Sequence, residues 1–326
     1  MIKRFILPKI SNNKIIDLLK NKLLEDTSLI DKLEMFLIEK RGYVYKLPLP
    51  GDNVILSLSG GLDTTIIWDI LMRIYKLNVY PVFFRRGQIR VTSEESSVDF
   101  FTRYYEKKFP MLFHSPMKLT TFIPPLEIRW IITKFGSVRI NKNQGARGIP
   151  LYSSQLVNYA VQYSYYLEIT KGVKARNIFF GYVKDDGINT RYETLTALRV
   201  NTLNVISLTG DPQWQITSIP IEKNLRFHFG KEILVKYADK YNIPIEKSFS
   251  CIKYCFYHCG KCIYCLSRKR VFKKARIKDK TIYLEDKPIY YYFFQKILLS
   301  ISVIRFMLRI IVAMVINFIY FLKTRW

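Results

Sequence analysis

An α/β fold, with a parallel sheet covered by helices on both faces, is what the sequence predicts, followed by a small cysteine-bearing subdomain. Three observations predict it. Short apolar runs alternate with helical patterns from residue 53 onward. Ser59-Gly60-Gly61-Leu62-Asp63-Thr64 lies between the apolar run 54–58 and the helical pattern Ile66, Ile67, Trp68, Ile70, Leu71, Ile74. All five cysteines fall between positions 251 and 265.

Residues 1–50 read as a helical extension. Ser11-Asn12-Asn13 can cap a run holding Ile15, Ile16, Leu18, Leu19 and Leu23, and Thr27-Ser28 a second run holding Ile30, Leu33, Phe36 and Leu37. A helical hairpin packed on the main domain is expected. Leu47-Pro48-Leu49-Pro50-Gly51 then forms a linker into a domain over 51–247. Its elements are a strand at 54–58, a helix at 64–75, a strand at 78–84, a helix at 93–107 and a strand at 110–115. A helix at 152–170, a strand at 177–182 and a helix at 230–241 complete it, the last with Ile233, Leu234, Tyr237 and Ala238 on one face. Such sheets bind ligands at the carboxyl ends of their strands, where Ser59–Thr64 would lie. The cysteine subdomain covers 248–285 and a hydrophobic tail 286–326. No internal repeat is visible.

The 326 residues suffice for one large domain with additions or for two, and 49% apolar residues support a packed core. The formal net charge of +26 fits RNA, an anionic membrane surface, or simply solvated basic faces. Met1-Ile2-Lys3-Arg4-Phe5 opens without the apolar core or cleavage site of a secretory signal, so a cytoplasmic chain is expected.

Strand, glycine pair, helix is the arrangement that cradles a phosphate. Adjacent glycines let the backbone approach an anion and turn its amides inward, and the helix start adds the positive end of its dipole. Ser59 and Thr64 can add hydroxyl donors. Asp63 does not suit a pure anion site, so a magnesium ion held with the phosphates is expected. The Walker pattern is excluded, because no Lys-Ser/Thr pair follows the second glycine.

Cys259, Cys262 and Cys265 form a C-x2-C-x2-C array with Gly260 easing the turn, and an upstream thiolate closes a tetrahedral zinc site. An iron–sulfur cluster is the metal alternative. Cys251 or Cys255 is then surplus. His258 could ligate, but its adjacency to Cys259 suits a neighbouring, non-ligating role.

The Ser-Gly-Gly-x-Asp-Thr loop resembles that of the N-type ATP pyrophosphatases, which split ATP between the α and β phosphates. Loop and cysteine array together resemble the 7-cyano-7-deazaguanine synthase (QueC) family. The matching residues are Ser250-Cys251, then Cys259-Gly260-Lys261-Cys262-Ile263-Tyr264-Cys265, Arg268 and Ala275 through Tyr283. Between loop and array the resemblance rests on Gly87-Gln88 with Glu94 or Glu95 following, and on Ile149-Pro150. It continues in Arg191-Tyr192-Glu193 after Asp185 and Asp186, and in Lys231-Glu232-Ile233. It covers about residues 53 to 283 and favours Cys251 over Cys255 as the fourth ligand.

The resemblance implies an adenine nucleotide alpha-hydrolase-like fold and an ATP-dependent ligase. The enzyme would join ammonia to 7-carboxy-7-deazaguanine, giving amide and then nitrile, as a homodimer using ATP, Mg2+ and Zn2+. Ser59, Gly60, Gly61, Leu62, Asp63 and Thr64 would hold pyrophosphate and magnesium. Lys231 would act as a phosphate cation, and Gln88, Arg191 and Glu193 would meet the acceptor. The implied catalytic set is Asp63, Lys231 and Arg191, and the zinc ligands are Cys251, Cys259, Cys262 and Cys265. Departures fall in the loops expected to shape the acceptor site: Tyr152-Ser153, Asn189, and Arg86-Gly87-Gln88-Ile89-Arg90. They leave open a related enzyme of an antiviral or specialised system with a protein or nucleotide acceptor. An inactive zinc-containing binding protein is the remaining alternative, against which the intact loop argues.

Residues 306–322 form an apolar run broken by Arg309 and Asn317 and followed by Lys323, Arg325 and Trp326. The expectation is a membrane anchor, spanning or lying at the interface, against a hydrophobic helix in a subunit interface.

Overall fold

The computed structural model describes residues 5–22, 24–88, 90–135, 149–186, 190–253, 257–286 and 297. Five strands, β1 (Asn53–Leu58), β2 (Asn78–Arg85), β3 (Met117–Thr120), β4 (Asn177–Phe179) and β5 (Gln215–Thr217), form one parallel sheet in the order β3-β2-β1-β4-β5. β1 shows why its run is apolar but for Asn53 and the buried Ser57. Val54, Leu56 and Leu58 enter one core with Ile66, Trp68 and Leu71, while Ile55 enters the other with Leu156, Val157 and Leu198. A strand covered on both faces has no polar side to show.

The helices are α1 (Asn12–Lys20), α2 (Thr27–Arg41), α3 (Leu62–Arg73), α4 (Val91–Lys108), α5 (Leu126–Phe135), α6 (Tyr152–Lys171), α7 (Leu195–Thr209), α8 (Lys231–Lys240) and α9 (Ile263–Ala275). α3, α4, α8 and α9 cover one face of the sheet, and α2, α6 and α7 the other. Each fully buried Leu, Ile or Val contributes about 1.5–3 kcal/mol relative to exposure.

Three sequence expectations are corrected. The third strand lies at 117–120 rather than 110–115: the chain turns at Phe109–Phe113, meets β2 through an isolated bridge from Phe113 to Val79 and the stacking of His114 on Tyr80, and enters the sheet after Pro116, which has no N–H to donate. Asp26, not Thr27-Ser28, caps α2, accepting from the Leu29 N–H at 2.9 Å. β4 stops at Phe179 rather than 182, where the chain swings past the start of α3: a Cβ on Gly181 would sit 2.6 Å from the Thr64 methyl. The cap of α1 at Ser11 stands as expected. Helices α5, α7 and α9 and strand β5 have no counterpart in the sequence expectations.

The extension packs on the main body. Ile15, Leu19 and Ile30 enclose Leu195, and buried Arg199 of α7 binds both Glu34 of α2 (3.0 Å) and Glu222 (2.7 Å). Among the described residues no helix is long and apolar enough to cross a membrane; the apolar run 306–322 lies outside them.

Candidate functional site

β1 stands between β2 and β4, where the sheet order reverses, and the segments leaving β1 and β4 meet there, Gly181 lying against Thr64. Ser59-Gly60-Gly61 leaves β1 and opens α3. Gly60 has φ +72°, and a Cβ there would lie 2.4 Å from the Glu94 carbonyl oxygen, so only glycine fits. The Thr64 hydroxyl accepts from the Ser59 N–H at 3.2 Å and lies 3.0 Å from the Ser59 hydroxyl. Ser59 Oγ accepts from the Gly61 N–H at 3.2 Å. The loop is thus rigid and closed on itself. The Gly60 carbonyl is fixed by Ser97 Oγ (2.7 Å) and by the Phe249 N–H (2.9 Å).

Asp63, in the first turn of α3, meets Lys231 at the start of α8: Nζ lies 2.8 Å from Asp63 Oδ2 and 3.0 Å from Asp186 Oδ1. Asp186 leaves the far end of the β4 segment, its other oxygen accepting from the Val183 N–H. Two carboxylates hold the Lys231 ammonium charged, well above its ordinary range. Burial pushes the Asp63 carboxyl up. Asp63 Oδ1 is buried with no hydrogen-bond partner among the described residues, the kind of orphan oxygen that a cation or water satisfies. Glu193 faces the same group; burial first, then the Asp186 charge, raises its carboxyl to about 7. The expectation of magnesium rested on Asp63 and on ATP; the fold adds Asp186 and Glu193 around the same ammonium.

Beyond Glu94 the site becomes aromatic and cationic. Gln88 donates to Glu94 Oε2 at 2.6 Å and accepts from the Arg86 N–H at 2.7 Å. Glu94 also pairs with Arg86 (3.4 Å) and Arg90 (2.5 Å), whereas Glu95 points away to Arg85 and Lys118. The Arg86 guanidinium lies over Tyr152, Tyr152 packs on Tyr192, and Arg90 lies over Tyr264 of α9. Arg191 is exposed, and among the described residues its guanidinium has no ion pair or hydrogen bond. Asn189 and Ile89 lie outside the described residues.

Cys251, Cys259, Cys262 and Cys265 are buried, and their sulfurs all lie within 4.8 Å of one another. Cys251 and Cys262 stand 3.9 Å apart, as do Cys259 and Cys265. Backbone N–H groups of Lys253, Cys259, Cys262 and Cys265 point at sulfurs at 3.3–3.4 Å. Four thiols in that compact array can hold a metal ion. Gly260 (φ +82°) makes the turn, where a Cβ would strike Glu285. His258 is not a member of the cluster; its Nε2 accepts from the Ser250 N–H at 3.1 Å. Cys255 lies outside the described residues. Buried Arg268 ties the subdomain down, donating to Thr281, Ser248, Ser250 and the Ile245 carbonyl.

The fold therefore brings together the phosphate loop, Asp63, Lys231, Gln88, Glu193 and the four cysteines, and leaves Arg191 outside the contacts. The sequence named Asp186 and Glu94 as family positions and Arg86 and Arg90 within a loop shaping the acceptor site, without the partners the fold gives them. Tyr264 had no signal of its own until α9 turned it toward Arg90.

A glycine loop at the switch point of a parallel sheet, with four thiols able to hold a metal ion, defines an α/β protein with a cysteine-bearing subdomain. The family described as "Queuosine biosynthesis protein QueC" matches residues 53–276, and the chain belongs to that family. A 7-cyano-7-deazaguanine synthase of Methanobrevibacter smithii is 40% identical over 86 residues, 26% of this chain and 34% of the relative. Two such synthases of Methanococcus maripaludis strains are 31% identical over 126 residues (36% and 50%) and 30% identical over 255 residues (72% and 100%). The chain thus spans a third to a half of the first two and the whole of the third. The U34-tRNA thiolase NcsA of Methanococcus maripaludis, solved with its [4Fe-4S] cluster, is 15% identical and covers 82% of this chain and 80% of its own, at a TM-score of 0.35. A likeness that shallow supports no statement about this chain's metal.

Proposed function

We propose that the chain is an ATP-dependent ligase that converts 7-carboxy-7-deazaguanine and ammonia to 7-cyano-7-deazaguanine. The observation that carries the reading is the chain of contacts in a QueC-family protein that runs from the glycine loop to the Asp63–Lys231–Asp186 group, the aromatic–guanidinium wall and the entry to the cysteine cluster. A carboxylate is a poor electrophile because oxide is a poor leaving group. Attack of its oxygen on the α-phosphorus of ATP releases pyrophosphate and makes AMP the leaving group. Ammonia then displaces AMP, loses a proton and leaves the amide. A second attack, by the amide oxygen, releases pyrophosphate again, and loss of AMP and the last N–H proton gives the nitrile.

In this reading the protein positions and neutralises rather than supplying a nucleophile. The Gly60-Gly61 amides and the α3 dipole meet the β and γ phosphates, with Ser59 and Thr64 donating hydroxyls. Asp63, through its orphan oxygen, would hold magnesium, which supplies charge neutralisation at the phosphates. Lys231 lies close enough to Asp63 to share that charge. The deazapurine ring stacks among Tyr152, Tyr192 and Tyr264, with Arg86 or Arg90 meeting its carboxylate and Gln88, Glu193 and Arg191 its polar edge. Zinc is the proposed metal of the cysteine centre. A tetrahedron with Zn–S of about 2.3 Å has edges near 3.8 Å, close to the two sulfur separations of 3.9 Å. A four-iron cluster puts each thiolate on its own iron and needs them further apart. Stoichiometry tests the reading: two AMP and two pyrophosphate per nitrile are expected, and release of ADP and phosphate instead would refute it.

A further inference from the structure

The first fifty residues lie outside the stretch that matches the family, yet they reach the site. Between α1 and α2 the extension grips both flanks of the segment bearing Asp186 and Glu193. On one flank the Lys22 ammonium donates to the Lys184 carbonyl, two residues before Asp186. On the other, the Glu25 carboxylate accepts from the N–H groups of Leu195 (2.9 Å) and Thr196 (3.0 Å), two and three residues after Glu193. It also accepts from the Thr196 hydroxyl at 2.7 Å, which in turn accepts from the Asp26 N–H at 2.9 Å. These are the free amides of the first turn of α7, where a carboxylate also meets the positive end of the dipole. Half-buried Lys22 faces Asp185, Asp186 and Glu25, with Lys184 as a neighbouring cation.

We propose that Lys22 and Glu25 are positioning residues that hold Asp186 and Glu193 against Lys231, making the N-terminal extension part of the active-site scaffold. The proposal rests on the functional reading above. Its physical basis is the sensitivity of catalysis to placement: a shift of about 1 Å in a positioning group can cost roughly 100-fold in rate. The rest of the extension is held independently, by Ile15, Leu19 and Ile30 around Leu195 and by Glu34 on Arg199, so loss of the clasp need not detach it.

The test compares Lys22→Met and Glu25→Ala with Glu34→Gln, which loosens the same extension away from Asp186 and Glu193. Kinetics of AMP release with ATP, ammonia and the deazapurine acid are measured beside Tm and amide exchange. The clasp variants are expected to lose roughly 10- to 100-fold in kcat, with KM for ATP changed less than about twofold. Lys22→Arg and Glu25→Asp recover part of the loss. The Val183 and Glu193 N–H groups, bonded to Asp186 and Thr190, exchange faster in the clasp variants and not in Glu34→Gln. A fall in kcat no larger than that of Glu34→Gln, or unaltered exchange at those two amides, overturns the proposal. Wild-type protein that releases no AMP with the acid overturns the functional reading instead, and the exchange measurement still decides the clasp.

Discussion

The Phe249 N–H donates to the Gly60 carbonyl at 2.9 Å, so the entry to the cysteine subdomain is fastened to the phosphate loop. Phe249 itself packs with Cys251, Cys259 and Cys265. The glycine loop and the cysteine cluster are therefore joined through one hydrogen bond and one packed ring, the route by which a bound metal and a bound nucleotide would be coupled under the proposed function. Such a bond contributes about 1 kcal/mol, or roughly fivefold in an equilibrium constant.

Stripping the metal is accordingly expected to weaken ATP binding about fivefold or more, besides lowering Tm. Titration of nucleotide against metal-loaded and chelator-treated protein checks this; equal affinities would sever the link. Replacing any of Cys251, Cys259, Cys262 or Cys265 by Ser should abolish stoichiometric metal, whereas Cys255→Ser should leave one ion per chain.

Gly60→Ala adds a methyl 2.4 Å from the Glu94 carbonyl at a left-handed φ. Strain of about 1–3 kcal/mol comes before the clash with immobile backbone is counted. The variant should lose ATP turnover by at least about 100-fold. Retention of more than a tenth of wild-type turnover, measured as pyrophosphate release, would mean that the loop does not hold the phosphates.

Lys231→Met leaves Asp63 and Asp186 facing each other without their shared cation. The expected result is a fall in kcat of about 100-fold, in line with removal of one preorganised charge. Lys231→Arg should recover little, because a planar fork does not replace a compact ammonium between two carboxylates. Steady-state kinetics on the two variants decide; an unchanged kcat with a raised KM would assign Lys231 to uniform binding instead.

Glu193 carries a pH signature. Its carboxyl titrates near 7 in the folded chain against an ordinary 4.5, with Asp186, Asp63, Lys231 and Thr190 around it. Between those values the folded state holds a proton that the unfolded state has released, so stability falls as pH rises from about 4.5 to 7. Glu193→Gln removes that dependence. Without nucleotide or added magnesium, the variant should match wild type near pH 4.5 and melt higher at pH 8. Parallel Tm profiles across the range would contradict the assignment.

The sheet was legible because β1, β2 and α3 are dominated by apolar residues at the right period, and the loop because Ser59–Thr64 is local in sequence. The four cysteines were legible for the same reason. The third strand was not, because Met111, Leu112 and Phe113 look like a strand while only the register with Val82–Arg85 shows that 117–120 is one. β4 was read at 177–182 and only its end differs, whereas β5, three residues long, is too short to show a period. The partners of Asp186, Arg86 and Arg90, positions the sequence did name, were hidden because they are tertiary: Arg90 meets Tyr264 across 174 positions only once α9 has packed. The Glu25 cap on α7, 170 residues away, is of the same kind.

The central claim, that loop and cysteine centre serve one nitrile-forming site, is tested most directly by mass analysis of products from ATP, 7-carboxy-7-deazaguanine and 15N-labelled ammonia. The account predicts 7-cyano-7-deazaguanine carrying one 15N, with the labelled amide preceding it and AMP and pyrophosphate accumulating. An untouched acid, while the same protein turns ATP to AMP on another acceptor, would contradict it.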